Sequence, residues 1–224
     1  MLKIVLSFLV EITRPLRWGL IKILSPGLWD ARAHIPLASA MPRGSTLYAI
    51  EHFGDRPISY CEVGVNTGLN VLDVNERLNV KQSFLVDMYE AYETVYEGRL
   101  LHFPQDVQDE AYESAVKLLK PYADKITWIL KYSNEAIKDL DDGIDFIYID
   151  GNHEYEYVKS DIENYWAKLA KNGILAGHDF LGSYNGLIRA VFEFATKNKL
   201  RLYSNRYDWW FIKPEDFDQR TLRY

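Results

Sequence analysis

Six side chains that can move protons or hold cations fall where strands should end: Glu62, Asp87, Asp150, His153, His178 and Asp179. Residues 59–68 read Ser-Tyr-Cys-Glu-Val-Gly-Val-Asn-Thr-Gly, an apolar run that ends in an acid and a glycine turn. Residues 145–155 read Asp-Phe-Ile-Tyr-Ile-Asp-Gly-Asn-His-Glu-Tyr, a second apolar run ending in Asp150-Gly-Asn-His153. Acids at the tips of parallel strands, beside a glycine loop, line a ligand crevice. Glu62-x-Gly64-x-x-x-Gly68 supplies the loop: Gly64 permits a tight turn with close backbone approach, and Gly68 permits close packing where a helix starts. Asp87 follows Gly64 by 23 residues and closes the next apolar run. At that spacing a carboxylate can accept hydrogen bonds from both hydroxyls of a ribose. The set points to an adenosine-containing cofactor with a polar reaction centre next to it.

The elements that must position these residues follow from periodicity. Residues 58–63 read as a first strand and 67–78 as a helix; 84–86 form a short second strand ending at Asp87. Residues 88–110 show no clean period, and carry Tyr89, Tyr92, Tyr96 and His102. A stretch of that length reads as a lid or an insertion that helps form an acceptor pocket. Residues 111–122 are expected to be helical, 126–130 a third strand, and Ser133-Asn134 begin a short helix. After the fourth strand at 146–149, Val158, Ile162, Tyr165, Trp166 and Leu169 mark one helix face, and Asn172-Gly173 reads as the helix end. A fifth strand at 174–176, an amphipathic helix through Leu187 to Ala195, and a hairpin pairing 201–203 with 209–212 complete the chain. Five strand–helix repeats closed by a hairpin predict an α/β fold: a Rossmann-like doubly wound sheet, mostly parallel, with one antiparallel strand near the C-terminus.

The chain has 224 residues, enough for one such domain with short additions, expected as an N-terminal extension over 1–45, the domain over 46–213 and a tail over 214–224. A net charge of −6 disfavours a nucleic-acid partner. Cys61 is the single cysteine, so no disulfide can form within the chain, and its place in a core strand makes it a small buried hydrophobe. Residues 1–28 mix apolar positions with Arg14, Arg17 and Lys22, and no apolar run reaches the roughly 18 residues of a spanning helix. Two readings of that segment stand: a basic amphipathic segment in peripheral contact with a membrane surface, or a helix packed on its own domain or on a second copy of the chain. The expected location is cytoplasmic, with or without that membrane contact.

The arrangement resembles the class I S-adenosylmethionine-dependent methyltransferases over roughly residues 41–213. The most specific part is Ile149-Asp-Gly-Asn-His-Glu-Tyr, followed by Gly173-Ile-Leu-Ala-Gly-His-Asp. It is similar to the subfamily whose fourth strand ends Asp-Gly-x-His-x-Tyr and whose fifth ends Gly-His-Asp, related to sugar and small-molecule O-methyltransferases. Asn66 departs from the usual middle glycine of the first motif. That departure also weakens a rival reading as a nicotinamide-binding or hydroxylase-like oxidoreductase. A third reading, a non-catalytic subunit of a glycan-assembly complex, is at odds with the retained acids. The resemblance implies that Glu62, Gly64, Asn66 and Gly68 surround the methionine part of S-adenosylmethionine. It implies that Asp87 holds the ribose, that Ser133 and Asn134 lie by the adenine, and that Asp150 faces the sulfonium and the acceptor, a saccharide or other small-molecule hydroxyl.

In the metal-dependent relatives, residues matching Asp150, His178 and Asp179 hold a divalent ion, Mg²⁺ by resemblance. An imidazole in the set suits Mn²⁺, Fe²⁺ or Zn²⁺ better. The alternative is that His178 and Asp179 bind acceptor hydroxyls without metal. His153, three residues past Asp150, is the expected general base, since imidazole titrates near neutral pH; the alternative is that it caps the helix that follows. Acids at Glu62, Asp87 and Asp150 are expected to complement a sulfonium charge.

Overall fold

The computed structural model describes residues 42–96 and 99–217. The expectations for residues 1–28 lie outside the described residues. Among the described residues, no helix is long and apolar enough to cross a membrane.

The chain enters through helix α1 (Gly44–Phe53) and runs into β1 (Ile58–Val63), which is buried along its whole length. There follow α2 (Leu69–Arg77), β2 (Val80–Val86), a hairpin of β3 (Tyr92–Tyr96) and β4 (Arg99–Phe103), and α3 (Gln105–Leu118). Then come β5 (Ile126–Ile129), the short α4 (Ser133–Ala136), β6 (Ile144–Ile149), α5 (Tyr155–Lys168) and β7 (Leu169–Gly177). Helix α6 (Asn185–Asn198) and the pair β8 (Tyr203–Asn205) and β9 (Asp208–Ile212) end the domain.

Seven strands make one sheet in the order β5-β2-β1-β6-β7-β9-β8. Strand β9 is antiparallel to both neighbours, and the remaining pairings are parallel. The expected doubly wound sheet with one reversed strand is what the chain forms. From β1 the chain steps outward to β2, and from β6 it steps the other way to β7. Right-handed crossovers put the connecting helices on opposite faces, so strand order reverses between β1 and β6 and a crevice opens at their C-terminal ends. Fully buried strands such as Ile58–Val63 need cover on both faces, which explains why apolar residues dominate them, the buried Ser59 and Glu62 being hydrogen-bonded.

Three expectations change. The closing hairpin pairs Tyr203, Ser204 and Asn205 with Trp210, Trp209 and Asp208, so its turn is shorter and its first strand lies two residues later than expected. Residues 88–110 are not structureless: a two-stranded hairpin occupies 92–103 and helix α3 starts at Gln105. Paired strands at the surface carry too little alternation to be distinguished from a loop, and Tyr92 and Leu100 are exposed. Asn172-Gly173 does not end α5. The helix stops at Lys168 and β7 begins at Leu169, while Asn172, at φ 58°, is a left-handed kink inside the strand. The β6–β7 register jumps from Ile144↔Leu169 to Phe146↔Ile174, which absorbs that kink as a bulge.

The strand that places the crevice depends on Gly64. Its φ is +83°, and a Cβ there would collide with the carbonyl oxygen of Asp150. Gly64→Ala should therefore cost about 3 kcal/mol or more, combining left-handed strain with a clash against backbone that cannot give. Urea denaturation of the variant checks this, and an unchanged midpoint would show that β1 and β6 separate freely here.

Candidate active site

Glu62, two residues along β1 from Tyr60, lies on the same face of the strand. The Tyr60 phenol donates to Glu62 Oε2 at 2.5 Å, and Asn70 Nδ2 donates to the same oxygen at 3.2 Å. Glu62 is buried, and burial pushes its carboxyl up to about 8, against the opposing hydrogen bonds and the charge of Arg43. Burial therefore favours its protonated form near neutral pH. Asn70 Oδ1 is buried without a hydrogen-bond partner, an acceptor left over beside the carboxyl.

Asp87 leaves the end of β2 and turns its carboxylate onto the glycine loop. Oδ2 accepts from the backbone N–H of Val65 at 2.9 Å and of Asn66 at 3.0 Å, and Oδ1 accepts from Tyr89 N–H at 3.1 Å. Of the roughly four lone-pair sites of a carboxylate, one on Oδ1 remains for a ligand hydroxyl. Asn66 takes φ 49°, the left-handed conformation for which the usual motif uses glycine and which asparagine tolerates. Gly68, at φ +77°, sits where a Cβ would press on Leu119 and Ala115 of the α3 end. Tyr89 is buried; its phenol donates to Asn66 O at 2.6 Å while its ring packs on Tyr112 and Trp128. Tyr89 thus braces the cofactor loop rather than offering a free ring to an acceptor. Tyr92 stacks on Phe103, His102 pairs with Glu93 at 2.7 Å in the open, and the Tyr96 side chain lies outside the described residues.

At the α4 start, the Ser133 carbonyl accepts from the Tyr165 phenol at 3.0 Å. The Ser133 hydroxyl engages Asp161, whose carboxyl burial pushes up to about 6. Asn134 is exposed.

The remaining residues converge across the tips of β6 and β7. Asp150 N–H donates to Val63 O at 2.8 Å, which locks the β6 end to the β1 end. His153 Nε2 lies 2.8 Å from Asp179 Oδ2, and His178 Nδ1 lies 3.0 Å from Asp179 Oδ1 and 3.9 Å from Asp150 Oδ1. The His153 ring stacks on Tyr184, with centroids 4.3 Å apart. His153 does not cap α5: the N-cap is Glu154, and the side-chain turn there is made by Asn152 Oδ1 accepting from Glu154 N–H at 2.8 Å. Burial alone would raise the Asp179 carboxyl, but hydrogen bonds from both imidazoles outweigh it and hold Asp179 well below the usual range. Burial raises Asp150, and Arg43 and the two histidines oppose it. Asp179 adopts φ 55°, an uncommon left-handed turn that aims its carboxylate back between the histidines.

Three participants escape the sequence reading. Arg43 Nη2 lies 3.1 Å from Asp150 Oδ2, and its Nη1 donates to the Tyr148 phenol at 2.8 Å. The Tyr148 phenol donates to Asp208 Oδ1 at 2.8 Å. Tyr148 was findable, because it precedes Asp150 by two residues and shares its face of β6. Arg43 and Asp208 carry no local signal.

The donor chemistry fits S-adenosylmethionine. Asp87 retains an acceptor site for a ribose hydroxyl, and the orphaned Asn70 Oδ1 beside Glu62 suits an ammonium donor. For a divalent ion, Asp150, His153 and Asp179 bring one ligand atom each within 4.8 Å of the others, so His153 rather than His178 completes the tightest set. The fit to a resident ion is poor, because Asp150 already pairs with Arg43 and Asp179 already serves two imidazoles.

Residues 35–180 match the family described as Methyltransferase domain. No curated protein matches the chain in sequence. Among solved structures, an rRNA methylase from Streptococcus thermophilus is 12% identical with a TM-score of 0.56, over 76% of this chain and 94% of that one. A Streptococcus mutans protein described as a methyltransferase, in complex with SAH, is 13% identical with a TM-score of 0.56, over 77% of this chain and 99% of that one. A precorrin 8w decarboxylase from Methanobacterium thermoautotrophicum is 14% identical with a TM-score of 0.52, over 75% and 87%. At these identities the likeness is one of fold.

The state of Glu62 gives a pH signature. Its folded pKa of about 8 lies above the unfolded value of about 4.3, so between those values the folded chain holds a proton the unfolded chain has lost. Stability should then fall as pH rises through that window. Glu62→Gln should remove the fall and be the more stable protein by about 2–4 kcal/mol near pH 8.5, at about 1.4 kcal/mol per unit. Denaturation midpoints of both proteins between pH 5 and 9 check the sign; parallel profiles would mean Glu62 is ionised throughout.

Proposed function

Since the chain belongs to the methyltransferase domain family and is a class I S-adenosylmethionine-dependent methyltransferase, we propose that it O-methylates a hydroxyl of a saccharide or other small molecule. The observation that carries this reading is the His153–Asp179 pair next to Asp150, at the C-terminal ends of β6 and β7. A hydroxyl needs a base as it attacks, and an imidazole oriented by a carboxylate is that base.

When bound, S-adenosylmethionine supplies a methyl on a sulfonium that departs as a neutral thioether. His153 takes the acceptor proton on its Nδ1, because Asp179 holds Nε2 as the N–H side of the ring. Tyr184 stacks on the imidazole and restricts its rotation. The low proton affinity of Asp179 keeps it a carboxylate while His153 gains charge. Asp150 supplies negative charge beside the reacting centre. Asp87 orders the glycine loop and offers its remaining oxygen site to a ribose hydroxyl. The motifs Asp150-Gly-Asn-His153 and Gly177-His-Asp179 support membership of the sugar and small-molecule subfamily. A net charge of −6 supports a small acceptor over a nucleic acid, whose phosphates it would repel. A divalent ion on Asp150, His178 and Asp179 is the other way to activate the hydroxyl.

Two variants test the assignment. Asp87→Ala should weaken S-adenosylmethionine binding by about 1.5–3 kcal/mol, the scale of charge-assisted hydrogen bonds, and unchanged calorimetric affinity in a folded variant would remove Asp87 from the cofactor site. His153→Ala should lower turnover by about 10²–10⁴ with cofactor affinity nearly constant, once a panel of sugar and phenol acceptors yields a substrate. Retained turnover would assign proton removal to another group.

A further inference from the structure

We propose that Arg43 is the resident cation of the reaction centre, filling the place beside Asp150 that a divalent ion would need, so that methyl transfer runs without metal. The proposal rests on the reading of this centre as a methyl-transfer site.

Arg43 is not a loose surface charge. Its guanidinium forks between Asp150 Oδ2 at 3.1 Å and the Tyr148 phenol at 2.8 Å, with its Cζ 5.2 Å from the centre of the Tyr148 ring. The Tyr148 phenol is fixed in turn by Asp208, whose Oδ2 accepts from Ser45 N–H at 2.9 Å and from Ser45 Oγ at 2.5 Å. Ser45 stands two residues after Arg43 at the start of α1, so the relay closes on itself and holds the arginine from both ends. Asp208 and Tyr148 are buried, which protects these bonds from water.

A metal would have to share this space. Ligation needs lone pairs of Asp150 and Asp179 turned to one point at about 2.0–2.6 Å. Asp150 spends one oxygen on Arg43, and both Asp179 oxygens accept from imidazoles. A divalent ion at Asp150 would also stand beside the Arg43 guanidinium and a bound sulfonium, like charges in a crevice partly shielded from water. Arg43 also leaves its charge within reach of an acceptor oxygen at Asp150, where a developing alkoxide gains from it.

The test is Mn²⁺ binding to the full chain, read by electron paramagnetic resonance, with S-adenosylmethionine affinity measured alongside by calorimetry. The wild-type chain is expected to bind no stoichiometric Mn²⁺ and to keep its cofactor affinity in excess chelator. Arg43→Gln, which removes the charge at similar size, should bind Mn²⁺ roughly tenfold more tightly or better, and adding Asp150→Asn should abolish the gain. Arg43→Lys should behave as wild type, because the charge remains. One Mn²⁺ per wild-type chain, lost on Asp150→Asn, would overturn the proposal, as would equal Mn²⁺ affinity in wild type and Arg43→Gln. If Arg43→Gln does not fold, the Mn²⁺ and chelator measurements on the wild-type chain decide it. A chain that binds no S-adenosylmethionine would overturn the functional reading instead, and the Mn²⁺ comparison would still report on Arg43.

Discussion

The ends of β1 and β6 meet at a backbone crossing with no room for a side chain. Gly64 turns away at φ +83° directly against the Asp150 carbonyl, while Asp150 N–H bonds to Val63 O at 2.8 Å and Gly64 N–H bonds to Val86 O at 2.9 Å. Three strand ends are thereby tied within one hydrogen-bonded knot. Glu62, Asp87 and Asp150 issue from it in different directions, and the crevice between them exists because the strands cannot separate there. At the opposite ends of the same two strands, Asp145 accepts from Ser59 N–H at 2.9 Å and from its Oγ at 3.0 Å, which fixes the register that sets Glu62 beside Tyr148.

Within this frame, environment gives four carboxyl groups four different behaviours. Glu62 is buried, and the loss of water raises its affinity for a proton despite the hydrogen bonds from Tyr60 and Asn70. Asp179 accepts from an imidazole on each oxygen and resists a proton. Asp150 lies between, pushed up by burial and held back by Arg43. Asp87 spends most of its capacity on backbone N–H groups, so it shapes the loop that a cofactor would approach. A protein that brings a cation to a hydroxyl needs this grading. Charge is wanted beside the reacting atoms, and a neutral carboxyl suits the buried flank.

Helix α1 ties the far edge of the sheet to the centre. Ser45 at its start grips Asp208 on β9, Asp208 grips Tyr148 on β6, and Tyr148 and Asp150 share Arg43. Strand β9 runs antiparallel, so its first residue lies at the same end of the sheet as the last residues of β6 and β7. The reversed strand therefore does more than cover an edge: it delivers a buried acid to the site.

Much of this was legible in the sequence. Largely apolar runs marked the five parallel strands, since a strand buried on both faces is mostly apolar, as residues 146–149 are. Acids placed after those runs located the crevice, because a polar group at a strand tip is where the backbone leaves the core. Asn66 could be read as a substitute for glycine on the same ground, its side chain tolerating a left-handed backbone. What the sequence could not supply was long-range pairing. Arg43 and Asp150 are 107 residues apart and Ser45 and Asp208 are 163 apart, and no local periodicity encodes either contact. The kink at Asn172 was hidden because it depends on a partner outside its own segment, the Lys213 carbonyl that accepts its N–H. The protonation of Glu62, the double grip on Asp179 and the arginine at Asp150 were decided by tertiary structure alone, because desolvation and hydrogen bonding act through space and not along the chain.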